Sequence, residues 1–246
     1  MFESCGETKR FMNPRPVGDE PYVPTVLEHR ANIYTHGLFV LPSVLALSLL
    51  VQLSQTSQHI WISWIYGLAL ILLFTFSTAF HITSYMGNTG RLMRFCHLGD
   101  RAIIYVVIAA SYTPWMVLKE HDMRDIIWLT WLATVLCVFY QFSFHDRFAW
   151  LEIILYLALG ICPAIFLTEM PDKEGVTEVA VSGVIIISGI VFFKADGVVP
   201  FAHAIWHCFV SAAAGYHYFA VIKYLYQAKV FFEASHEGTP PEHLNL

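Results

Sequence analysis

Residues 200–210 read PFAHAIWHCFV: an apolar run that carries two histidines, His203 and His207, four positions apart. An α-helix turns about 100° per residue, so the two imidazoles fall roughly 40° apart, one turn along the same face. That spacing lets two imidazoles grip one metal ion. A second apolar stretch ends in Ser77-Thr-Ala-Phe-His81. Ionisable groups within hydrocarbon are costly and face a bundle interior, so a site built from both stretches is the first expectation.

The surroundings of these stretches set the fold class. The chain has 246 residues, of which 57% are apolar and only 13% charged, well below the quarter or so of charged residues usual in soluble domains. Mean hydropathy is +0.55. Windows long enough to cross a hydrocarbon core of about 30 Å occur seven times. They run over 34–52, 60–85, 102–118, 126–144, 148–167, 176–193 and 198–226. The sixth is the weakest, because its apolar core is short and holds Gly183, Ser188 and Gly189. The expected fold is an all-α membrane protein, a seven-transmembrane helix bundle. Residues 1–33 form an N-terminal segment, 34–226 the membrane domain and 227–246 a short mobile tail rich in Glu and Pro.

Basic residues give the orientation, since basic loops stay on the cytoplasmic side. With the N-terminus cytoplasmic, that side holds Lys9, Arg10, Arg15, Arg30, Arg91, Arg94, Arg101, Arg147 and Lys194. The other holds Lys119, Arg124, Lys173, Lys223 and Lys229. Residues 1–32 are polar, with Pro14, Pro16, Pro21 and Pro24, and contain no cleavable signal, so the first span serves as the targeting signal. The net charge of −5 is spread over tails and loops, and no basic patch for nucleic acid is present. The cysteines, Cys5, Cys96, Cys137, Cys162 and Cys208, form neither a disulfide framework nor a thiolate metal site and read as small buried hydrophobes. Trp61, Trp64, Trp115 and Trp150 fall at span ends and read as interfacial anchors.

With this topology the polar residues of the spans sort by depth. Ser77 and His81 lie near the cytoplasmic end of the second span, the third begins just after Asp100-Arg101, and His203 and His207 open the seventh, all in one leaflet. Glu28, Asn32 and His36 repeat every four residues on one face of the first span. An isolated HxxxH in an apolar helix is more often a pair of histidines bonded to neighbouring helices. The matching depth of His81 and Asp100 is what favours a metal here. Three imidazoles, His81, His203 and His207, suit zinc better than calcium or magnesium and leave one tetrahedral position for water. Asp100 and Ser77 stand beside them, the carboxylate to handle a proton or orient a histidine, the hydroxyl to bond water or an incoming carbonyl. His217 lies about 15 Å beyond His207 along the helix, too far to join. His36 is a candidate extra ligand, with an interhelical or capping role preferred, and Glu152 is placed at the interface with Arg147 rather than in the site.

The strings Ser77-Thr-Ala-Phe-His81, His97-Leu-Gly-Asp100-Arg101 and Pro200-Phe-Ala-His-Ala-Ile-Trp-His207 resemble those of the progestin and adipoQ receptor family, which also takes in hemolysin III-type proteins. Arg10-Phe-Met-Asn13, Glu28-His-Arg-Ala-Asn32, Ile108-Ala-Ala-Ser-Tyr-Thr-Pro-Trp115 and Phe192-Phe-Lys-Ala-Asp-Gly197 extend the similarity to one branch of it, over nearly the whole chain. The resemblance implies seven helices, a cytoplasmic N-terminus, and zinc held by His81, His203 and His207 with Asp100 and Ser77 alongside. It also implies a Golgi or late endosomal and lysosomal membrane, with the plasma membrane open as an alternative, and links to Ras and kinase signalling. The loop 86–92 has Arg91 but lacks the paired lysines of close relatives, which weakens the case for a basic-patch partner or anionic-lipid contact there. Three functions are compatible with these features. One is a signalling receptor or regulator that takes a lipid or other apolar ligand and acts on cytoplasmic signalling proteins. Another is an intramembrane zinc hydrolase of a lipid amide or ester, such as a ceramide, with Asp100 and Ser77 catalytic. The third is a scaffold with structural zinc. Resemblance to the signalling branch favours receptor or scaffold over dedicated enzyme.

Overall fold

Thr25 and Glu28 start the first helix by capping each other. The Glu28 N–H donates to Thr25 Oγ1 at 3.2 Å, and the Thr25 N–H donates to Glu28 Oε2 at 2.8 Å. This reciprocal box satisfies two of the orphan donors at a helix N-terminus. The computed structural model describes residues 11–15, 22–119, 123–144 and 149–226. The tail 227–246, residues 1–10 and 16–21 of the N-terminal segment, and Arg147 lie outside the described residues.

Among the described residues the regular structure is helical throughout: α1 Val26–Leu53, α2 Ser57–Tyr85, α3 Arg91–Leu118, α4 Arg124–Phe144, α5 Ala149–Glu169, α6 Val176–Phe193 and α7 Ala202–Val221, the last continued by a π-turn over Ile222–Tyr226. All seven are long and apolar enough to span a membrane. Sequential helices pack as neighbours, α7 closes back onto α1, and α3 also packs on α5, whereas α5 and α6 touch only sparsely.

The distribution of side chains is inverted relative to a soluble protein. Trp128, Leu38 and Val191 are 70% or more exposed, while Glu28, Asn32, His36, Ser63, Ser77, His81, His207 and His217 are buried. Lipid solvates the apolar exterior, so the bundle is held by close packing and interior polar contacts. Glycine supplies the close approaches. A Cβ on Gly67 would sit 2.6 Å from Leu47, and one on Gly99 would sit 2.4 Å from the Phe76 ring, so α1 and α3 each press against α2 at distances only Gly permits.

Several helices exceed the windows expected from hydropathy. α1 begins at Val26, and α3 begins at Arg91, which puts Asp100 and Arg101 inside the helix rather than ahead of it. Hydropathy reports which residues belong at hydrocarbon depth, whereas a helix continues for as long as its backbone bonds are met. The seventh starts later than expected, at Ala202, because Phe201 adopts left-handed backbone angles (φ 58°) that break the path from Val198.

Glu152 is not interfacial. It is buried and accepts a 2.6 Å bond from Arg101 Nη1 and one from Tyr156 Oη, tying α3 to α5. Trp115 is not an interfacial anchor either. It is fully buried, and its indole N–H donates to His217 Nε2 at 3.1 Å, whereas Trp61, Trp64 and Trp150 do face outward. Of the four described cysteines, all free, Cys96 and Cys137 are buried as small hydrophobes, but Cys162 and Cys208 face outward. Outside the spans, Lys119 at the end of α3 bonds Asp172 Oδ2 at 2.6 Å and the Glu174 carbonyl at 2.7 Å. The first of these holds the Asp172 carboxyl below its ordinary range.

Candidate metal centre

His81 arrives four residues before the end of α2, and His203 and His207 occupy the first two turns of α7. The three rings converge. Their centroids are 5.1 Å (His81–His203), 4.9 Å (His81–His207) and 4.7 Å (His203–His207) apart, and one nitrogen of each lies within 4.8 Å of the others. Three bonds of about 2.1 Å to a common ion can bridge such a spacing with small side-chain rotations.

Hydrogen bonding decides which nitrogens are free. Thr35 Oγ1 donates its proton to the Ala31 carbonyl at 2.8 Å or the Asn32 carbonyl at 3.2 Å, so its 2.9 Å contact with His207 Nδ1 must be an acceptance. His207 therefore carries its proton on Nδ1, and its Nε2 lone pair is available. Asp196, in the turn between α6 and α7, places Oδ2 3.7 Å from His203 Nδ1, too far for a hydrogen bond to that ring. Burial, then the Glu28 carboxylate, pushes the Asp196 carboxyl up to about 6. His81 Nε2 is buried with no hydrogen-bond partner. A dry, unpaired ring nitrogen is expensive, and a cation shared with two neighbouring lone pairs is the partner this geometry offers. The donor set thus fits a metal ion that prefers imidazole.

His36, on α1, stands against the trio without joining it. It stacks on His207 at 3.8 Å and 17°, and its Nδ1 lies 2.7 Å from Ser77 Oγ, the interhelical role expected of it. Ser77 is buried one turn before His81, and its hydroxyl interacts with the half-buried Asp100 carboxylate on α3. His217 stays apart, bonded to Tyr66 and Trp115. Thr35, which bonds the His207 ring, and Asp196, which stands near His203, were not singled out by the sequence. Thr35 lies off the Glu28–Asn32–His36 stripe, and Asp196 falls in a turn, so neither has a periodic signal.

A cavity of about 420 Å³ runs from this cluster into the bundle. His203, His207, Ser77 and Asp100 line one end, Tyr66 and His217 the other, and the walls between are mostly apolar. Ile161 on α5 and Val184 and Ile187 on α6 belong to both the lining and the exposed surface, so the cavity reaches the lipid-facing side where those two helices part.

The model of the family described as "Haemolysin-III related" matches residues 25–218. The chain is similar to Monocyte to macrophage differentiation factor of Homo sapiens, with 42% identity over 230 residues, 91% of this chain and 95% of that protein. The protein of the same name from Mus musculus matches to the same extent. It is also similar to the Hemolysin-3 homolog of Bacillus subtilis (strain 168), with 28% identity over 208 residues, 81% of this chain and 95% of that one. Helices, spans and matched residues coincide, and this multi-pass membrane protein belongs to the haemolysin-III related, or progestin and adipoQ receptor, family.

Proposed function

We propose that this protein is a zinc-binding membrane receptor or signalling regulator that admits a lipid, or another apolar ligand, from the bilayer and responds at its cytoplasmic face. The observation that carries the reading is the cavity that has His203 and His207 of the three-histidine cluster at one end and opens at its side between α5 and α6. Metal at His81, His203 and His207 would join α2 to α7, so a polar head docked beside it would bear on the relative position of both helices. The basic-residue count supports a cytoplasmic N-terminus, with the site near that face. Resemblance supports a Golgi or endolysosomal membrane and cytoplasmic signalling partners.

A second reading rests on Ser77 and Asp100, which line the same end of the cavity. In it the protein hydrolyses a lipid amide or ester. Zinc supplies Lewis acidity toward a carbonyl oxygen and lowers the pKa of coordinated water. Ser77 positions the carbonyl, Asp100 accepts and returns the proton, and the apolar walls hold the acyl chain and exclude bulk water.

Metal analysis of purified protein tests the shared premise. About one zinc per chain is expected, falling to below about one tenth in His81→Ala. Metal-free wild type, or a His81→Ala protein that keeps its metal, would overturn it. Incubating the zinc-loaded protein with a fluorescent ceramide then separates the two readings. Turnover lost in Asp100→Asn selects the hydrolase, and binding without turnover selects the receptor.

A further inference from the structure

The far end of the cavity holds a hydrogen-bond donor that no group among the described residues receives. Trp115 Nε1 can only donate, and it donates to His217 Nε2 at 3.1 Å. His217 Nε2 must therefore be the unprotonated nitrogen, and the ring proton sits on Nδ1. That proton points at Tyr66 Oη, 2.8 Å away, so Tyr66 is the acceptor in this pair. Its own hydroxyl proton is left over.

The other hydroxyls along the walls toward this end are committed. Ser111 donates to the Ile108 carbonyl, Tyr112 to Gly160, Thr168 to Ile165 and Ser182 to Val179. Tyr66 is only 1% exposed, yet it lines the cavity. An unreceived O–H in an apolar chamber costs free energy until an acceptor enters.

We propose that Tyr66, held by His217 and Trp115, is a second polar subsite that donates a hydrogen bond to an oxygen at the distal end of the ligand. This rests on the reading of the cavity as a lipid site and deepens it by naming the ligand class. Ten residues of α7 separate His207 from His217, so the two polar poles are roughly 15 Å apart. The ligand is an extended apolar molecule with an oxygen function at each end: a carboxylate or carbonyl at the histidine cluster and a keto or similar acceptor oxygen at Tyr66. A plain acyl chain satisfies only the first pole.

The test uses full-length zinc-loaded protein in lipid nanodiscs with two probes, dodecanoate and dodecanoate carrying a keto group on its penultimate carbon. Wild type should bind the keto acid about tenfold more tightly, the worth of one buried hydrogen bond. Tyr66→Phe should abolish that preference with dodecanoate binding unchanged, whereas His81→Ala should weaken both probes and keep the preference. Equal binding of the two probes by wild type, or a preference that persists in Tyr66→Phe, overturns the subsite and leaves the lipid cavity standing. Failure of wild type to bind either probe overturns both. If Tyr66→Phe does not fold, nitrogen-15 NMR of histidine in the wild type decides: a proton on His217 Nδ1 supports the assignment, and one on Nε2 overturns it.

Discussion

Thr35 sets the chemistry of a histidine on a different helix. Its proton is held by the Ala31 or Asn32 carbonyl, so its oxygen accepts, and acceptance from His207 Nδ1 leaves the opposite nitrogen of that ring with the free lone pair. Removing the hydroxyl without changing shape should therefore act on metal binding rather than on the fold. Thr35→Val is expected to weaken zinc affinity by about 10–100-fold, as loss of an outer partner of a ligating histidine does, with thermal stability of the metal-free protein little changed. Thr35→Ser should restore most of the affinity. Competition against a chromophoric chelator measures both, and an unaltered affinity in Thr35→Val would show that His207 needs no such partner. At this scale His203 and His207 were legible from their spacing, because a helix face is a property of sequence, and His81 from its depth in the second span. Their partners were not, since Thr35 lies 172 positions from His207 and meets it only through packing.

Between elements, the main ionic tie described is Arg101 on α3 with Glu152 on α5, to which Tyr156 donates as well. Glu152 is buried, so taking away its cation strands a carboxylate where lipid offers no solvation. Arg101→Met should destabilise the bundle by about 3 kcal/mol, and the double substitution Arg101→Met/Glu152→Leu should regain much of that, because an uncharged pair leaves nothing uncompensated. Denaturant titration in detergent micelles checks the order: a double variant no more stable than the single one would mean that the carboxylate is solvated another way. The apolar windows marked all seven helices but stopped α3 eleven residues short, at Ala102 instead of Arg91, since a window method must exclude charges whose neutralisation comes from a separate helix. Trp115 was misplaced for a related reason. Its position at the end of an apolar run looks interfacial until His217 is found waiting inside.

The whole molecule is a bundle with one loose seam. α5 and α6 meet sparsely, and along the seam Gly160 and Gly183 both line the cavity, with open space where a Cβ would stand. Gly183→Leu should then fill the passage without strain: melting temperature unchanged or slightly raised, since Leu favours helix over Gly by up to about 1 kcal/mol, and dodecanoate binding reduced more than tenfold. Zinc content should not change. Intact lipid binding in that variant would mean that ligands enter elsewhere. A membrane fold of seven helices could be read directly from this chain, because burial in lipid imposes length and polarity on each span independently of its neighbours. The three histidines could be nominated in the same way, two by helical spacing and the third by depth. Only the folded arrangement decided that their nitrogens converge, that Thr35 fixes the tautomer of His207, that Glu152 belongs to Arg101, and that a chamber connects the cluster to Tyr66. Those are relations between residues far apart along the chain, set by how helices pack, and no local pattern encodes them.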